Sequence, residues 1–302
     1  MEIIRLSDKA DKFFYSSSSL QKIATGFFFT EGPVWDSVNN CLYFTNFQDN
    51  TIYCYTDTDG VRLYRKNSGR AVGLSLSVNG RIISAETRTH AVTYADREES
   101  KIIAASYYGK RLNSPNDVVS GRDGALVFTD PYSVAMGDVR ELDFNGIYYV
   151  PAFLGRPDGK HIRLLDDRME RPNGLAFSPD ESVLYVNDTN KQLIQAYQMH
   201  DEGGASVIGI FAVLDESYGA GCADGMKVDV EGNVYLTGPG GIWIIDSSGT
   251  PAVILKCPEN AGNLCFGGKD NQTLFITAST SVYRIPVKIP GIIPFREGKK
   301  TE

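Results

Sequence analysis

The sequence predicts an all-β fold, a six-bladed β-propeller in which residues 1–302 form one domain. A short pattern occurs six times: a turn residue, an apolar strand start, a second turn with Gly, Asp or Asn, and an apolar, aromatic strand. The repeats start 39 to 57 residues apart. Short strands with such a period are typical of propeller blades. Helix signals are nearly absent, and six blades of about four strands account for the whole chain.

The six repeats follow one another from Glu31 onwards. Their first segments are "EGPVWDSVNNCLYFTN", "VGLSLSVNGRIISAE", "NDVVSGRDGALVFTD", "NGLAFSPDESVLYVND", "DGMKVDVEGNVYLTG" and "NLCFGGKDNQTLFITA". Further apolar segments complete the blades: "TIYCYT", "HAVTYA", "NGIYYVP", "LIQAYQM", "GIWIID" and "SVYRIPV". Four turn pairs predict antiparallel connections, namely Asn79-Gly80, Asp123-Gly124, Glu231-Gly232 and Lys269-Asp270.

The two ends of the chain are expected to behave differently. The N-terminal segment 1–30 contains "LQKIATGFFF", which we expect to supply the outer strand of the last blade and so close the ring. Residues 297–302 are predicted to be a polar tail. The longest intervals between repeats leave room for the loops "PYSVAMGDVRELDFNG" and "LDESYGAGCADG" over one face of the propeller.

Composition and charge exclude several classes of function. With 37 acidic and 30 basic residues the net charge is −7, and no Lys/Arg run is long enough to follow a nucleic-acid backbone. No segment has the length of a membrane span or the apolar core of a secretory signal, so we expect a cytoplasmic protein without a membrane partner. The five cysteines include no CxxC pair and are expected to be reduced, mostly buried strand thiols. The protein is expected to be a monomer or a small homo-oligomer.

Superposition of the repeats places one residue of each at the same point, and we name these six the ring positions. They are Glu31, Val72, Asn116, Asn173, Asp224 and Asn263. Equivalent points of all blades face the central axis, so two carboxylates and three amides should converge there. Like charges held together away from water are unfavourable, and a hard cation with oxygen ligands would compensate them. The pattern therefore favours a central metal site with one divalent ion, Ca²⁺ before Mg²⁺, Mn²⁺ or Zn²⁺.

Turn chemistry is the alternative interpretation of the same residues. Asn-Gly and Asp-Gly at strand entries usually only shape a turn. Glu31, however, is a poor turn former and stands at the same register as Asn173. The set as a whole therefore favours the metal site over turns alone.

Several segments resemble the gluconolactonase, regucalcin (senescence marker protein) and luciferin-regenerating enzyme family, and the gluconolactonase branch is the nearest match. The segments are "EGPVW", "SPNDVV", "FTDP", "RPNGLAFSPD", "CADGMKVD", "GNVY" and "FGG…TLFITA". The resemblance runs from about Glu31 to Val287 and implies a six-bladed propeller with a divalent metal in the central tunnel. It implies metal ligands at Glu31, Asn173 and Asp224, with Asn116 as a fourth ligand or a contact to substrate or metal-bound water.

Three other positions need separate interpretation. The resemblance does not imply Asn263 as a ligand, so we expect it to support the ligands from behind or to be structural. Val72 in "GRAVGL" replaces an amide that the gluconolactonase branch usually carries, which makes one side of the tunnel less polar. Ser114 stands where regucalcin-like members place a substrate-binding arginine.

The expected activity is metal-dependent hydrolysis of a lactone, such as the sugar-acid lactone gluconolactone, to its hydroxy acid. The metal would polarise the carbonyl, and Asp224 would take a proton from the attacking water. Glu31 would mainly hold the metal, while Asn116 and Asn173 would complete the coordination and position the substrate. No GxSxG nucleophile motif competes with this mechanism.

Four residues outside the ring positions have weaker claims to the site. His90, beside Glu86 in the loop region after the second-repeat strand, is a candidate for a minor substrate contact, and Glu86 is a candidate with it. Asp130 and Asp188 end the second strands of repeats three and four, where we expect them to shape turns or to sit behind the metal.

Two alternative functions remain open from the sequence. One is a phosphotriesterase that resembles diisopropylfluorophosphatase, since such a metal ring also suits phosphoryl chemistry. The other is a non-enzymatic metal-binding propeller that acts by interaction alone.

Overall fold

Alternating apolar residues and tight turns build six antiparallel sheets, and these sheets are the blades of the expected all-β, six-bladed propeller. The structure is a computed structural model and describes residues 2–294 except 96, 98, 134–136, 138, 154, 155 and 158. Five of the blades have four strands and blade 5 has five. The innermost strands of neighbouring blades contact each other all the way round the axis, including the contact of blade 6 with blade 1.

The strand bounds are given from the axis outwards, blade 1 to blade 6. The innermost strands are Thr30–Asp36, Ala71–Leu76, Val118–Ser120, Pro172–Phe177, Met226–Val228 and Ala261–Gly267. The second strands are Cys41–Asn46, Ile82–Glu86, Leu126–Asp130, Val183–Asp188, Val234–Gly238 and Thr273–Ala278. The third strands are Thr51–Thr56, Ala91–Ala95, Gly146–Val150, Leu193–Met199, Gly241–Ile245 and Ser281–Pro286. The fourth strands are Gly60–Lys66, Ser100–Ala104, Arg163–Asp166, Ala205–Val213, Pro251–Leu255 and Gln21–Thr25.

Minor elements lie between and beside the blades. Two short hairpins pair Ser106–Tyr107 with Lys110–Arg111 and Ala152–Phe153 with Arg156–Pro157. The helical elements of the described residues are single 3₁₀ turns at Asp8–Lys12, Gly159–His161, Glu216–Tyr218 and Lys269–Asn271. None of the described helices is long and apolar enough to cross a membrane.

The N-terminal segment joins two blades. Gln21–Thr25 pairs antiparallel with Ser281–Pro286 as the outer strand of blade 6. Ile3–Arg5 pairs with Pro251–Leu255 and adds a fifth strand to blade 5, which the sequence did not predict. Between these strands Phe13 is completely buried and packs edge-on against Tyr235, with ring centroids 6.1 Å apart. The predicted tail 297–302 lies outside the described residues.

The hydrophobic core is divided among the interfaces between blades. The described residues form six apolar clusters, and each cluster lies between one pair of adjacent blades. At the interface of blades 6 and 1, Trp35 stacks on Phe275 with ring centroids 5.3 Å apart. At the interface of blades 5 and 6, Tyr235 meets Phe266 edge-on at 4.9 Å. Burial of large aromatic rings at both of these interfaces stabilises the ring of blades.

Three of the four predicted turn pairs carry a glycine with positive φ: Gly80, Gly124 and Gly232. The fourth pair differs, because Lys269-Asp270 belongs to a 3₁₀ turn in which Asp270 and Asn271 adopt positive φ.

The five cysteines are free, but the expectation that most of them are buried is wrong. Cys41 and Cys265 are buried, whereas Cys54, Cys222 and Cys257 are half-buried. Cys222 stands out because it lies next to the ring positions rather than inside a strand.

Candidate metal centre and active site

The ring positions lie where the innermost strands begin, and hydrogen bonds join their side chains. Asn116 donates from Nδ2 to Asn173 Oδ1 at 2.5 Å, and the amide of Asn173 lowers the pKa of the Asp224 carboxyl. On the other side of the ring, Asn263 donates from Nδ2 to Glu31 Oε2 at 3.1 Å. The charges of Glu31 and Asp224 also act on each other, so blades 1, 3, 4, 5 and 6 contribute to one polar cluster.

Side chains at the ends of three second strands bind the backbone of the segments that lead into ring positions. Asn46 Oδ1 accepts the backbone N–H groups of Phe28 and Phe29, both at 3.1 Å, just before Glu31. Asp130 and Asp188 do the same in blades 3 and 4. Asp130 Oδ2 accepts from the backbone N–H of Asn113 at 2.8 Å, and Asp188 Oδ2 accepts from that of Glu170 at 2.9 Å. Asp130 and Asp188 therefore support the segments that carry Asn116 and Asn173.

A second set of side chains fixes the backbone from the neighbouring blade. Thr45 Oγ1 donates to the Val72 carbonyl at 3.0 Å, and Thr129 Oγ1 donates to the Asn173 carbonyl at 2.8 Å. In the same way Asn187 Nδ2 donates to the Asp224 carbonyl at 2.5 Å. These bonds run from one blade to the next, so the ring positions are held by the assembled propeller rather than by single blades.

Close contact between blades explains the glycine that follows most ring positions. A side chain at Gly32 would collide with the carbonyl of Val72, and one at Gly174 would collide with that of Asp224. The innermost strands can approach each other closely only where no Cβ intervenes.

Blade 3 carries Asp117 at this glycine position, and sequence reasoning missed it. The Asp117 side chain is only 2% exposed, and its Oδ2 lies 3.5 Å from Nδ2 of Asn263. The backbone N–H of Val118 donates to its Oδ1 at 2.9 Å. The break in the glycine pattern, Asn116-Asp117 against pairs such as Asn173-Gly174, was the signal that could have found it.

Burial gives the three carboxylates unusual proton affinity. Burial, assisted by the charge of Asp117, raises the pKa of Glu31 to about 7, although the N–H of Gly32 and the amide of Asn263 act against it. Burial also raises the pKa of Asp224 well above its ordinary value, and the charges of Glu31 and Asp117 add to this rise. The pKa of Asp117 is raised by burial as well. Carboxylates that lie close together away from water repel each other when charged, and a bound cation would offset this repulsion.

Among the described residues, the cationic side chains that lower the pKa values of this cluster are Lys227 and Arg171. Lys227 lies on the innermost strand of blade 5, donates to its neighbouring Met226 carbonyl at 2.9 Å, and lowers the pKa of Asp117 and of Glu31. Arg171 acts on Asp224 from the exposed side.

The donor chemistry of the ring fits a hard divalent cation, although not through carboxylates alone. Among the residues that the structure describes, no three His, Cys, Asp or Glu side chains form a metal-ligand group. The polar cluster instead offers carboxylate and amide oxygens from Glu31, Asp224 and the ring asparagines, and such oxygens are the ligands of Ca²⁺ in proteins.

Glu86 and His90 lie in blade 2, at the end of its second strand and in the turn that follows. Glu86 is 1% exposed and accepts from Ser84, Thr89 and Thr93 at 3.1, 2.6 and 2.7 Å. This buried network favours a structural role for Glu86. His90 contacts the Asn113 carbonyl through Nδ1 and so ties blade 2 to the segment before Asn116.

Farther along the innermost strands, the polar side chains of the ring positions give way to mainly apolar ones. There a mainly apolar cavity of about 410 Å³ is lined by Val34, Leu74, Val118, Ala176 and Lys227, among others. No ring position lines it. The two ends of the axis are thus chemically distinct, and the polar end is the one suited to a ligand rich in oxygen atoms.

The chain is similar to known proteins in both sequence and fold. The family model described as "SMP-30/Gluconolactonase/LRE-like region" matches residues 29–280. A gluconolactonase from Zymomonas mobilis is 32% identical, over 96% of this chain and 87% of that protein. The structure of a gluconolactonase from Xanthomonas campestris superposes with a TM-score of 0.83 at 27% identity, over 95% of this chain and 94% of that one. In fold alone, a calcium-binding protein, regucalcin, from Agrobacterium tumefaciens is also similar, with a TM-score of 0.73 at 18% identity, over 90% of this chain and 95% of that one.

Proposed function

Because the chain belongs to the SMP-30/gluconolactonase/LRE-like family, we propose that it is a metal-dependent hydrolase of sugar-acid lactones such as gluconolactone. The observation that carries the proposal is the buried polar cluster at one end of the axis. It combines Glu31 and Asp224 with the amides of Asn116 and Asn173, and its negative charge is only partly compensated by the protein.

The metal would be held by Glu31, Asn173 and Asp224, with Asn116 as a fourth ligand or a contact to substrate. When bound, a divalent cation polarises an ester carbonyl and makes water more acidic, and oxygen ligands favour Ca²⁺ for this role. Asn263 would hold Glu31 in place through its 3.1 Å hydrogen bond. These assignments rest on the ring positions and on the family resemblance together.

The hydrolysis itself needs one proton acceptor and one oriented ester. Water adds to the lactone carbonyl carbon, the bond from that carbon to the ring oxygen breaks, and the ring oxygen leaves as a hydroxyl group. Asp224 is half-buried, whereas Glu31 is almost completely buried, so the Asp224 carboxylate is the better suited of the two to accept the proton of the attacking water and return it to the ring oxygen. Asn116, also half-buried, is suited to orient the lactone oxygens with its amide.

The test is a pH-indicator assay over aldonolactones, aryl esters and a fluorophosphate, repeated after exchange of the metal. We expect acid release from at least one aldonolactone, lost with chelator and restored by a divalent ion. Faster turnover of the fluorophosphate than of every lactone would instead identify a phosphotriesterase. Turnover of none of these compounds by metal-loaded protein would leave the non-enzymatic binding propeller.

A further inference from the structure

The residues two positions before the ring positions form the rim of the proposed site. They are Phe29, Arg70, Ser114, Arg171, Cys222 and Ala261. Five of these six residues are buried or half-buried, and only Arg171 is exposed. Blades 2 and 4 thus place an arginine at the same position, on either side of the small Ser114 of blade 3.

Hydrogen bonds hold the backbone of Arg171, whereas none that the structure describes holds its guanidinium group. Its N–H donates to Asp188 Oδ1 at 3.2 Å, and its carbonyl accepts from the backbone of Thr189 at 3.0 Å. Within the described part of the chain, its guanidinium group makes no hydrogen bond or ion pair with another side chain. Arg70 differs, because its guanidinium packs over the ring of Phe47 at 5.9 Å.

Arg171 lies close enough to the proposed reaction site for its charge to act there. It lowers the pKa of the Asp224 carboxyl, and it opposes the burial and the Asp224 charge that raise the pKa of the Cys222 thiol. Because the protein as a whole carries a net charge of −7, a second cation beside the metal would help to attract an anionic ligand. A guanidinium with unused donors can bind a carboxylate or phosphate through two parallel hydrogen bonds.

We propose that Arg171 is a specificity-determining residue that binds an anionic substituent of the lactone. The preferred substrates would then be sugar-acid lactones that carry a second acidic group, a carboxylate or a phosphate, away from the ring ester. This inference rests on the proposed lactonase function and adds the charge of the substrate to it.

The test compares three lactones of one sugar with the metal-loaded enzyme: the neutral aldonolactone, its phosphate ester and the corresponding aldarolactone with a free carboxylate. We expect a higher kcat/KM for one or both charged lactones, with an advantage that shrinks as salt rises. The charged substrate that gains more identifies the anionic group. Arg171→Gln should lower kcat/KM for the preferred charged lactone roughly tenfold to 100-fold more than for the neutral one, mainly through KM. Arg171→Lys should recover part of the loss.

Arg62→Gln is the matched control, since Arg62 is an exposed arginine paired with Asp59 on the outer strand of blade 1. This variant should leave the ratios of kcat/KM among the three lactones unchanged. Equal kcat/KM for all three lactones, or an equal fall for all three in Arg171→Gln, would overturn the role of Arg171 and leave the lactonase intact. Absence of hydrolysis of every lactone would overturn the proposed function itself.

Discussion

The two carboxylates at ring positions differ in how water reaches them. Glu31 is 3% exposed and hydrogen-bonded by Gly32 and Asn263, whereas Asp224 is half-buried. A base that must exchange protons with water needs some access to solvent, and a residue that only holds a cation does not. The difference favours Asp224 as the proton acceptor of the proposed mechanism and Glu31 as the residue that holds the metal.

Replacement of Asp224 tests this division of roles. Asp224→Asn keeps an oxygen that can face a cation but removes the proton acceptor, so turnover should fall roughly 100-fold to 10,000-fold even at saturating metal. Asn173→Ala removes a neutral oxygen, and added metal should recover much of its rate. Turnover against metal concentration, with bound metal counted directly, distinguishes the two. If Asp224→Asn regains the wild-type rate at high metal, Asp224 is a ligand only.

The raised pKa of Glu31 predicts how the metal-free protein responds to pH. Because burial and Asp117 raise this pKa from 4.5 to about 7, the stability that Glu31 contributes is complete below about pH 4.5 and is lost as pH rises through 7. By linkage, the free energy of unfolding of the metal-free protein should therefore fall as pH rises from about 4.5 to 7. Urea unfolding of chelated protein between pH 4.5 and 8 measures it, and Glu31→Gln should flatten the slope. An unchanged slope in Glu31→Gln would contradict the assignment.

At the scale of single elements, the N-terminal segment contributes to two blades. It supplies the outer strand of blade 6, a fifth strand of blade 5 and the buried ring of Phe13 between them. Both outer positions would otherwise be open strand edges, and such edges pair with other chains. The segment therefore protects two neighbouring blades at once.

Two variants measure the contribution of the N-terminal segment, and a third, shortened at the C-terminus, is the control. Phe13→Ala removes a fully buried aromatic ring and should lower the free energy of unfolding by about 3 to 5 kcal/mol. Deletion of residues 1–26 removes both strands and should give aggregated protein, whereas deletion of 297–302 should leave solubility and melting temperature unchanged. Light scattering and thermal unfolding of the three variants provide the measurement. A monomeric, fully stable 27–302 protein would refute the closing role of the segment.

The repeated strands of the blades could be predicted from the sequence, whereas features that depart from the repeat could not. The repeated pattern predicts all six blades because each blade needs the same turn and apolar alternation. Asp117 and the strand Ile3–Arg5 escaped because they break the pattern: one replaces a glycine, and the other joins a blade from the far end of the chain. A substrate contact at Glu86 stays a prediction, and the three hydroxyl groups that donate to its carboxylate could not be predicted, because folding brings them together.

At the scale of the whole molecule, the charge cluster couples the metal to the stability of the ring of blades. Its members come from five blades and are fixed by bonds between blades, so a cation that binds them stabilises only the closed propeller. At 100 times its dissociation constant such an ion adds about 2.7 kcal/mol. Chelation should therefore lower the melting temperature, and readdition should restore it together with activity. Calorimetry with and without chelator tests this, and an unchanged melting temperature would contradict it.

The pairing of the two chain ends also sets the order in which the protein can assemble during synthesis. Gln21 and Arg284 hydrogen-bond to each other across 263 residues of sequence, so the first strand of blade 6 to leave the ribosome has no partner until the last blade has emerged. Blades 1 to 4 can form as they appear, because each is continuous in sequence. In nascent chains arrested before residue 281, residues 21–25 should therefore stay open to proteases, and their protection should appear only after the strand Ser281–Pro286 has emerged.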